Sequence, residues 1–496
     1  MRRALLVPIV LLSAGCPPAL VGFPGDAPFA RPGFGPGPTS LAGADVTGGA
    51  TGAMIAPADL PSDCADLPDG CIEEPIEGLL GDHPAAEGVI SAEPGAHLGW
   101  STAWMGVGEL VVGAPGSDVG GLDAGAVWIL SALDDDLALT SVILGAPGQS
   151  AGAAVAAGDL DGDGGIEVAI GAPGHGGGAG AVFVVTPEPG TSGKASGGIQ
   201  LQVTGTRGLG DALTVADLDG DGIDDLVVGA PRDANGAGVV RIWFGPVAGS
   251  PDLTLTGARP GAAFGASVAA SPDVDGDGLG ELVVGAPGDH GGAARSGTAR
   301  LYTGLGDPVA VWAGADSGEQ AGAAVAVGGD SDGDGRFEVL IGAPGVSAAA
   351  ASERGAAYVL PGSAPSGSLR YADAGLGGIR LDGSFGGDRA GHAVAFAGDV
   401  DGDGRDDLLV GGPRAHRFEA PSGLAWLVYG GGGSISLRNA DARFLSTATG
   451  QSLGHSFAGP GDLDDDGYDD VIVGAPGASF KAGEPGAIFR FLGGPL

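Results

Sequence analysis

Positive charge is scarce in this chain: 22 lysines and arginines stand against 61 acidic residues, a formal net charge of −39. Nucleic-acid binding needs basic surface, so that class of partner is excluded. Cysteine is nearly absent, with three residues in 496. No Cys-x-x-Cys pair or histidine cluster offers a zinc site. Cys64 and Cys71, close together in SDCADLPDGC, suit a small local disulfide in an oxidising compartment. Aromatics are few, at 5%. The longest N-terminal apolar run, Ala4–Leu12, is too short to span a bilayer. With 103 glycines the chain is not a helical protein, and the apolar strands between those glycines argue for tight turns in an all-β fold.

The acid is concentrated in one recurring loop. The stretch DLDGDGIDDLVVGAP, from Asp217, packs alternating aspartates against a glycine turn and then becomes apolar. A nine-residue frame, acidic at positions 1, 3, 5 and 9 with glycine at 6, occurs six times. Its acidic residues are Asp159, Asp161, Asp163 and Glu167; Asp217, Asp219, Asp221 and Asp225; and Asp273, Asp275, Asp277 and Glu281. The later copies carry Asp330, Asp332, Asp334 and Glu338; Asp399, Asp401, Asp403 and Asp407; and Asp462, Asp464, Asp466 and Asp470. One such loop could be a solvated turn, since Asp and Gly are ordinary turn residues. Six copies in one frame read as metal loops, and hard oxygen donors at short spacing suit Ca²⁺ better than Mg²⁺ or Zn²⁺. These positions take 24 of the 61 acidic residues, and six Ca²⁺ would bring −39 to −27.

An EF-hand loop also begins D-x-D-x-D-G, but it needs a carboxylate at position 12 and a helix after it. Position 12 here is Ile170, Val228, Val284, Ile341, Val410 and Val473. Each lies in a short apolar run ending in Gly-Ala-Pro or Gly-Gly-Pro, which reads as a buried strand. The loops therefore join strands.

Those Gly-x-Pro ends recur seven times, beginning at Gly113, Gly171, Gly229, Gly285, Gly342, Gly411 and Gly474. A second marker, an LG, AG or FG pair, places its glycine at 99, 152, 210, 265, 322, 391 and 454. Repeats of this length indicate a propeller or array. The ordered elements FG, DxDxDGxxD and GAP resemble the FG-GAP repeats of integrin α-subunits and of many bacterial surface proteins. The resemblance covers residues 87–496. It implies a seven-bladed β-propeller with four antiparallel strands per blade, calcium between the first two strands, and ligands on the opposite face. The chain stops one strand short in its seventh unit, and Gly88–Glu93 parallels the fourth-strand segments. That N-terminal strand is expected to close the last blade and remove exposed sheet edges.

Upstream, residues 1–15 read as a targeting segment: Arg2 and Arg3, the short apolar run, then LSAGC. This resembles a bacterial lipoprotein signal, in which Cys16 becomes the lipidated first mature residue; Ser13 departs from that pattern, and plain secretion is the alternative. Residues 16–86, rich in Pro, Gly and Ala, read as a tether.

Enzyme signatures fail on context. GQSAG (148–152) matches a hydrolase elbow but overlaps a repeat marker and leads into no helix. GHGGGAG (174–180) resembles a phosphate loop only in glycine content. His392 and His455 each follow a marker glycine and read as equivalent repeat positions. The chain therefore reads as a non-enzymatic, calcium-stabilised, lipid-anchored binding or adhesion module of the cell envelope. The competing class is an extracellular carbohydrate-active lyase or hydrolase built on the same propeller. Its partner is expected to be an extracellular protein or glycan. Arg414, His416, Arg417 and Phe418 in PRAHRFEAP are the strongest partner-binding candidates, because arginine beside an aromatic is a common make-up of recognition surfaces.

Overall fold

The computed structural model describes residues 5–9, 87–91, 93–106, 108–131, 137–187, 192–194, 199–204, 207–304, 306–347, 353–415, 422–446, 450–459, 461–464, 466–478 and 486–495. Its strands form seven sheets, the seven blades of a propeller. In the third blade the order is Ala212–Ala216, Asp225–Ala230, Val239–Trp243, Leu253–Thr256, each antiparallel to the last. The inner strands neighbour one another around the ring, and that from the seventh blade meets that from the first.

The second strand of each blade shows why the sequence is continuously apolar there. In Asp225–Ala230 every residue is buried. Leu226 and Val228 pack with the second blade's Ala169, Val182 and Val184, whereas Val227 packs with Leu282 and Val284 of the fourth. A strand covered on both faces has no solvent side to place polar residues on. Fully burying each such side chain contributes about 1.5–3 kcal/mol.

The two glycine markers meet between blades. The carbonyl of each marker glycine lies against the Gly-x-Pro glycine of the blade before it. A Cβ on Gly113, Gly171, Gly229, Gly285, Gly342, Gly411 or Gly474 would collide with the carbonyl of Gly152, Gly210, Gly265, Gly322, Gly391, Gly454 or Gly99 respectively. The seventh contact, Gly474 against Gly99, joins the end of the chain to its beginning. Ser456 Oγ donates to the same Gly99 carbonyl at 2.9 Å.

Closure follows the expected route. Glu87–Ile90 pairs antiparallel with Ala487–Phe491, with Val89 opposite Ile488, and supplies the outer strand of the seventh blade. Val89, Ile472 and Ile488 then share a core with Leu110, Val112 and Leu130 of the first blade.

Several outer edges gain a fifth, parallel strand. The following blade supplies it for blades one, four and five, through Ser192–Lys194, Gly367–Ser368 and Ile435–Ser436. On the sixth blade the added strand is Leu5–Ile9, paired with Ala442–Ser446. The apolar N-terminal run, expected as a targeting segment, here satisfies an open sheet edge, which is the other use such a run has. Cys16, Cys64, Cys71 and the whole 16–86 segment lie outside the described residues.

Gly474→Ala should destabilise the ring by about 1–3 kcal/mol, because the added methyl meets backbone that cannot swing away. Gly433→Ala, where nothing lies within 4 Å of the new carbon, should stay within about 0.5 kcal/mol. Equal denaturant midpoints for the two variants would show that the glycine contact does not hold the ring. Deleting Glu87–Ile90 should lower the melting temperature by several degrees and promote self-association through the bared edge.

Candidate functional site

The six acidic loops connect the first and second strands of blades two to seven, and so emerge together at one end of the strands. The first blade has a short turn there instead, with Met105 and Glu109 bonded backbone to backbone at 2.9 Å. In the third blade the position-1 carboxylate, Asp217, accepts the N–H groups of Gly220 and Gly222 at 2.8 and 2.9 Å. Both glycines have positive φ, 77° and 89°, a conformation that favours glycine and folds the loop around that carboxylate. Asp219 accepts from Asp221 N, and Asp221 from Ile223 N.

Position 9 is the buried anchor. Glu167, Asp225, Glu281, Glu338, Asp407 and Asp470 are all buried. Asp225 accepts Leu218 N and Gly245 N, both at 2.8 Å. Asp407 accepts Val400 N and Gly430 N, and Asp470 accepts Leu463 N and Gly493 N. The carboxylate thus ties its own loop to the turn after the third strand. Burial holds these groups above the usual carboxylate range despite their N–H donors, with neighbouring loop aspartates adding to the effect. Asp225 is pushed up to about 6, Glu281, Glu338 and Asp470 to about 7, and Asp407 to about 8.

Within the loops, carboxylate oxygens approach within 4.8 Å of one another. The fifth blade brings all four expected residues together: Asp330, Asp332, Asp334 and Glu338. Blades two, three and four gather positions 1, 3 and 9: Asp159, Asp161, Glu167; Asp217, Asp219, Asp225; and Asp273, Asp275, Glu281. The sixth gathers Asp399, Asp401 and Asp403. Two oxygens of the six loops, Glu281 Oε1 and Asp464 Oδ1, are buried with no hydrogen-bond partner. Buried acceptors of that kind, in an all-oxygen donor set, fit a hard divalent cation.

Position 8 was not singled out in the sequence, and it links neighbouring loops. Asp224 accepts the N–H of Asp159 at 2.9 Å, Asp406 that of Asp330 at 2.6 Å, and Asp469 that of Asp399 at 2.9 Å. The backbone returns each bond: Asp224 N donates to Asp159 O at 3.0 Å, and Asp406 N and Asp469 N donate to Asp330 O and Asp399 O at 3.1 Å. The signal was present as the doubled Asp-Asp at positions 8 and 9 of three loops.

On this geometry the comparisons are decisive. The FG-GAP repeat family matches residues 209–243, 264–302, 390–435 and 454–489, which fall on blades three, four, six and seven. The chain carries FG-GAP repeats in a seven-bladed propeller. It is similar to integrin alpha-V of Gallus gallus, 32% identical over 272 residues, covering 54% of this chain and 20% of that protein. It is also similar to integrin alpha-IIb of Homo sapiens, 35% identical over 156 residues, covering 30% of this chain and 14% of that protein. Integrin alpha-PS2 of Drosophila melanogaster is 29% identical over 276 residues, covering 54% of this chain and 15% of that protein. The FG-GAP chain spans a fifth or less of the length of these relatives.

The opposite end of the FG-GAP propeller carries many of its few cations, and the structure pairs several of them. Arg232 meets Asp211 at 2.7 Å, Arg259 meets Asp289 at 3.0 Å, Arg354 meets Asp382 at 2.9 Å and Arg389 meets Glu353 at 3.3 Å. Arg414 is exposed there; His416, Arg417 and Phe418 lie outside the described residues. Three histidines converge at the same end, where His392 meets His455 and both His455 and His97 meet Trp100. GQSAG runs into the inner strand Ala154–Gly158, and GHGGGAG contains a single four-residue turn, His175–Gly178, whose central glycines leave helical geometry. One cavity of about 40 Å³, lined by Asp332, Glu338 and Tyr429, lies between the fifth and sixth blades. It admits a water molecule, not a sugar ring.

Asp406→Ala should cost about 1–3 kcal/mol by leaving Asp330 N–H without its acceptor, and Asp406→Asn should restore most of that loss. Equal unfolding free energies for all three proteins would remove position 8 from the account.

Proposed function

We propose that this FG-GAP propeller is a calcium-stabilised, non-enzymatic binding module displayed at a cell envelope. The ring of acidic loops carries this reading. The fifth blade's loop offers converging oxygens from positions 1, 3, 5 and 9, those of blades two, three, four and six from three of these positions, and two loops hold buried oxygens without partners. A divalent ion at each loop would offset the mutual repulsion of its carboxylates and fix the connection between first and second strands. Ion binding to the native ring alone raises its stability by mass action. Metal analysis after chelation and reconstitution should find about six Ca²⁺ per chain, with a lower melting temperature in chelator. A content of one or none would sink this reading.

Placing the ions at one end leaves the turns at the other free for a partner. Relatives named as integrin alpha chains support a binding or adhesion role of this kind. The carbohydrate-active alternative would need a deep cleft of carboxylates outside the loops; the cavity beside Glu338 belongs to a loop.

Anchoring through Cys16 remains part of the proposal, with residues 16–86 as the tether. No helix among the described residues is long and apolar enough to cross a membrane. Cleavage before Cys16 would also remove Leu5–Ile9 from the sixth blade's edge. Cys16→Ser should therefore release the protein from the membrane fraction. Mass spectrometry finding an unmodified Cys16 in the mature protein would instead indicate ordinary secretion.

A further inference from the structure

The residue after each marker glycine leads into the inner strand, beside the propeller axis and at the end away from the acidic loops. Four blades place Ala153, Asp211, Ala266 and Ala323 there. Three consecutive blades place His392, His455 and Trp100. Their rings form an arc, His392 to His455 at 5.3 Å and His455 to Trp100 at 4.5 Å between centroids. His97 extends it, 5.9 Å from Trp100. Of the other four positions three are alanine and the fourth, Asp211, is paired with Arg232, so the arc is the one aromatic sector among the seven.

The polar atoms of the arc are only partly used. His455 Nδ1 lies 3.1 Å from the Trp100 carbonyl oxygen, which fixes the tautomer with hydrogen on Nδ1 and leaves Nε2 an acceptor. His392 Nδ1 is buried without a hydrogen-bond partner. Trp100 is 38% exposed, unusual for so large an apolar side chain. Arg389 and Arg414 border His392; with burial as the larger cause, they push its imidazole down to about 4. Burial, with His392 and His97 nearby, does the same to His455. The imidazoles are therefore neutral at neutral pH. Arg389 shares its charge with Glu353, whereas Arg414 has no ion-pair partner among the described residues.

We propose that this arc binds an anionic glycan built of uronate units, with one sugar ring on Trp100 and the carboxylate of a neighbouring unit toward Arg414. An exposed indole offers an apolar platform for the C–H face of a pyranose. Neutral imidazoles donate to and accept from its hydroxyls. Guanidinium supplies the bidentate partner a carboxylate prefers. Two imidazoles at 5.3 Å would also suit a transition-metal ion. The cationic field of Arg389 and Arg414, however, repels a dication and draws an anion, which decides between them.

This inference rests on the binding-module reading and specifies its ligand. The full calcium-loaded chain is titrated with oligogalacturonate, its methyl-esterified counterpart and Zn²⁺, by calorimetry and tryptophan fluorescence. Oligogalacturonate should bind saturably and perturb the indole emission, more weakly as salt rises. Esterification, Trp100→Ala and Arg414→Gln should each weaken binding at least tenfold, while Trp100→Phe keeps most of it and calcium content stays constant. Equal binding of the ester would overturn the carboxylate recognition. Undiminished binding by Trp100→Ala would overturn the site, leaving a binding module that uses another surface. A chain that binds only Zn²⁺, lost in His392→Ala, would make the arc a metal site. Failure to bind oligogalacturonate while a protein or neutral glycan binds in a screen would overturn the inference alone, and failure to bind any of them would overturn both readings.

Discussion

The contact between paired glycines at every blade interface is the constraint on which the rest of the ring depends. Backbone meets backbone there, so neighbouring blades approach to the distance at which Leu226, Val227 and Val228 can fill both sides of a second strand. A side chain at Gly229 or Gly265 would wedge the blades apart at their narrowest radius, and interiors as dense as organic crystals have no slack to absorb it. Seven such contacts must close on one another. The last, Gly474 on Gly99, brings together residues far apart in the chain and fixes the place of the strand Glu87–Ile90.

The same close approach brings the acidic loops into register. Because adjacent inner strands are held so near, Asp224 can reach the backbone of Asp159, and Asp406 that of Asp330. The loops thereby become a linked belt rather than separate turns. Burial of Glu281 or Asp407 raises their affinity for protons in a crowded field of like charge. A divalent cation answers that cost better than protons do, since it neutralises several carboxylates at once. At the opposite rim three consecutive blades place His392, His455 and Trp100 where three of the other four have alanine.

Much of this was legible in the sequence because each repeated element had a local cause. Alternating aspartates before a glycine turn, an apolar run without polar breaks, and a truncated seventh unit each pointed to its own place. In blades two to five the oxygens of positions 1, 3 and 9, marked by that frame, approach one another. Less legible was whatever required two blades at once: the reach of position 8 across an interface, the ion pairs that quieten Arg232 and Arg259, and the parallel strands added to outer edges.

By itself the sequence determined the number of blades, the order of strands within each and the end at which the acid collects, since these follow from short-range patterns repeated in one frame. Only the tertiary structure decided which residues from different repeats touch. His97, His392 and His455 stand far apart along the chain, and no local rule draws them together. Closing seven twisted blades around one axis does, because it brings the turns that lead into neighbouring inner strands together on a small circle.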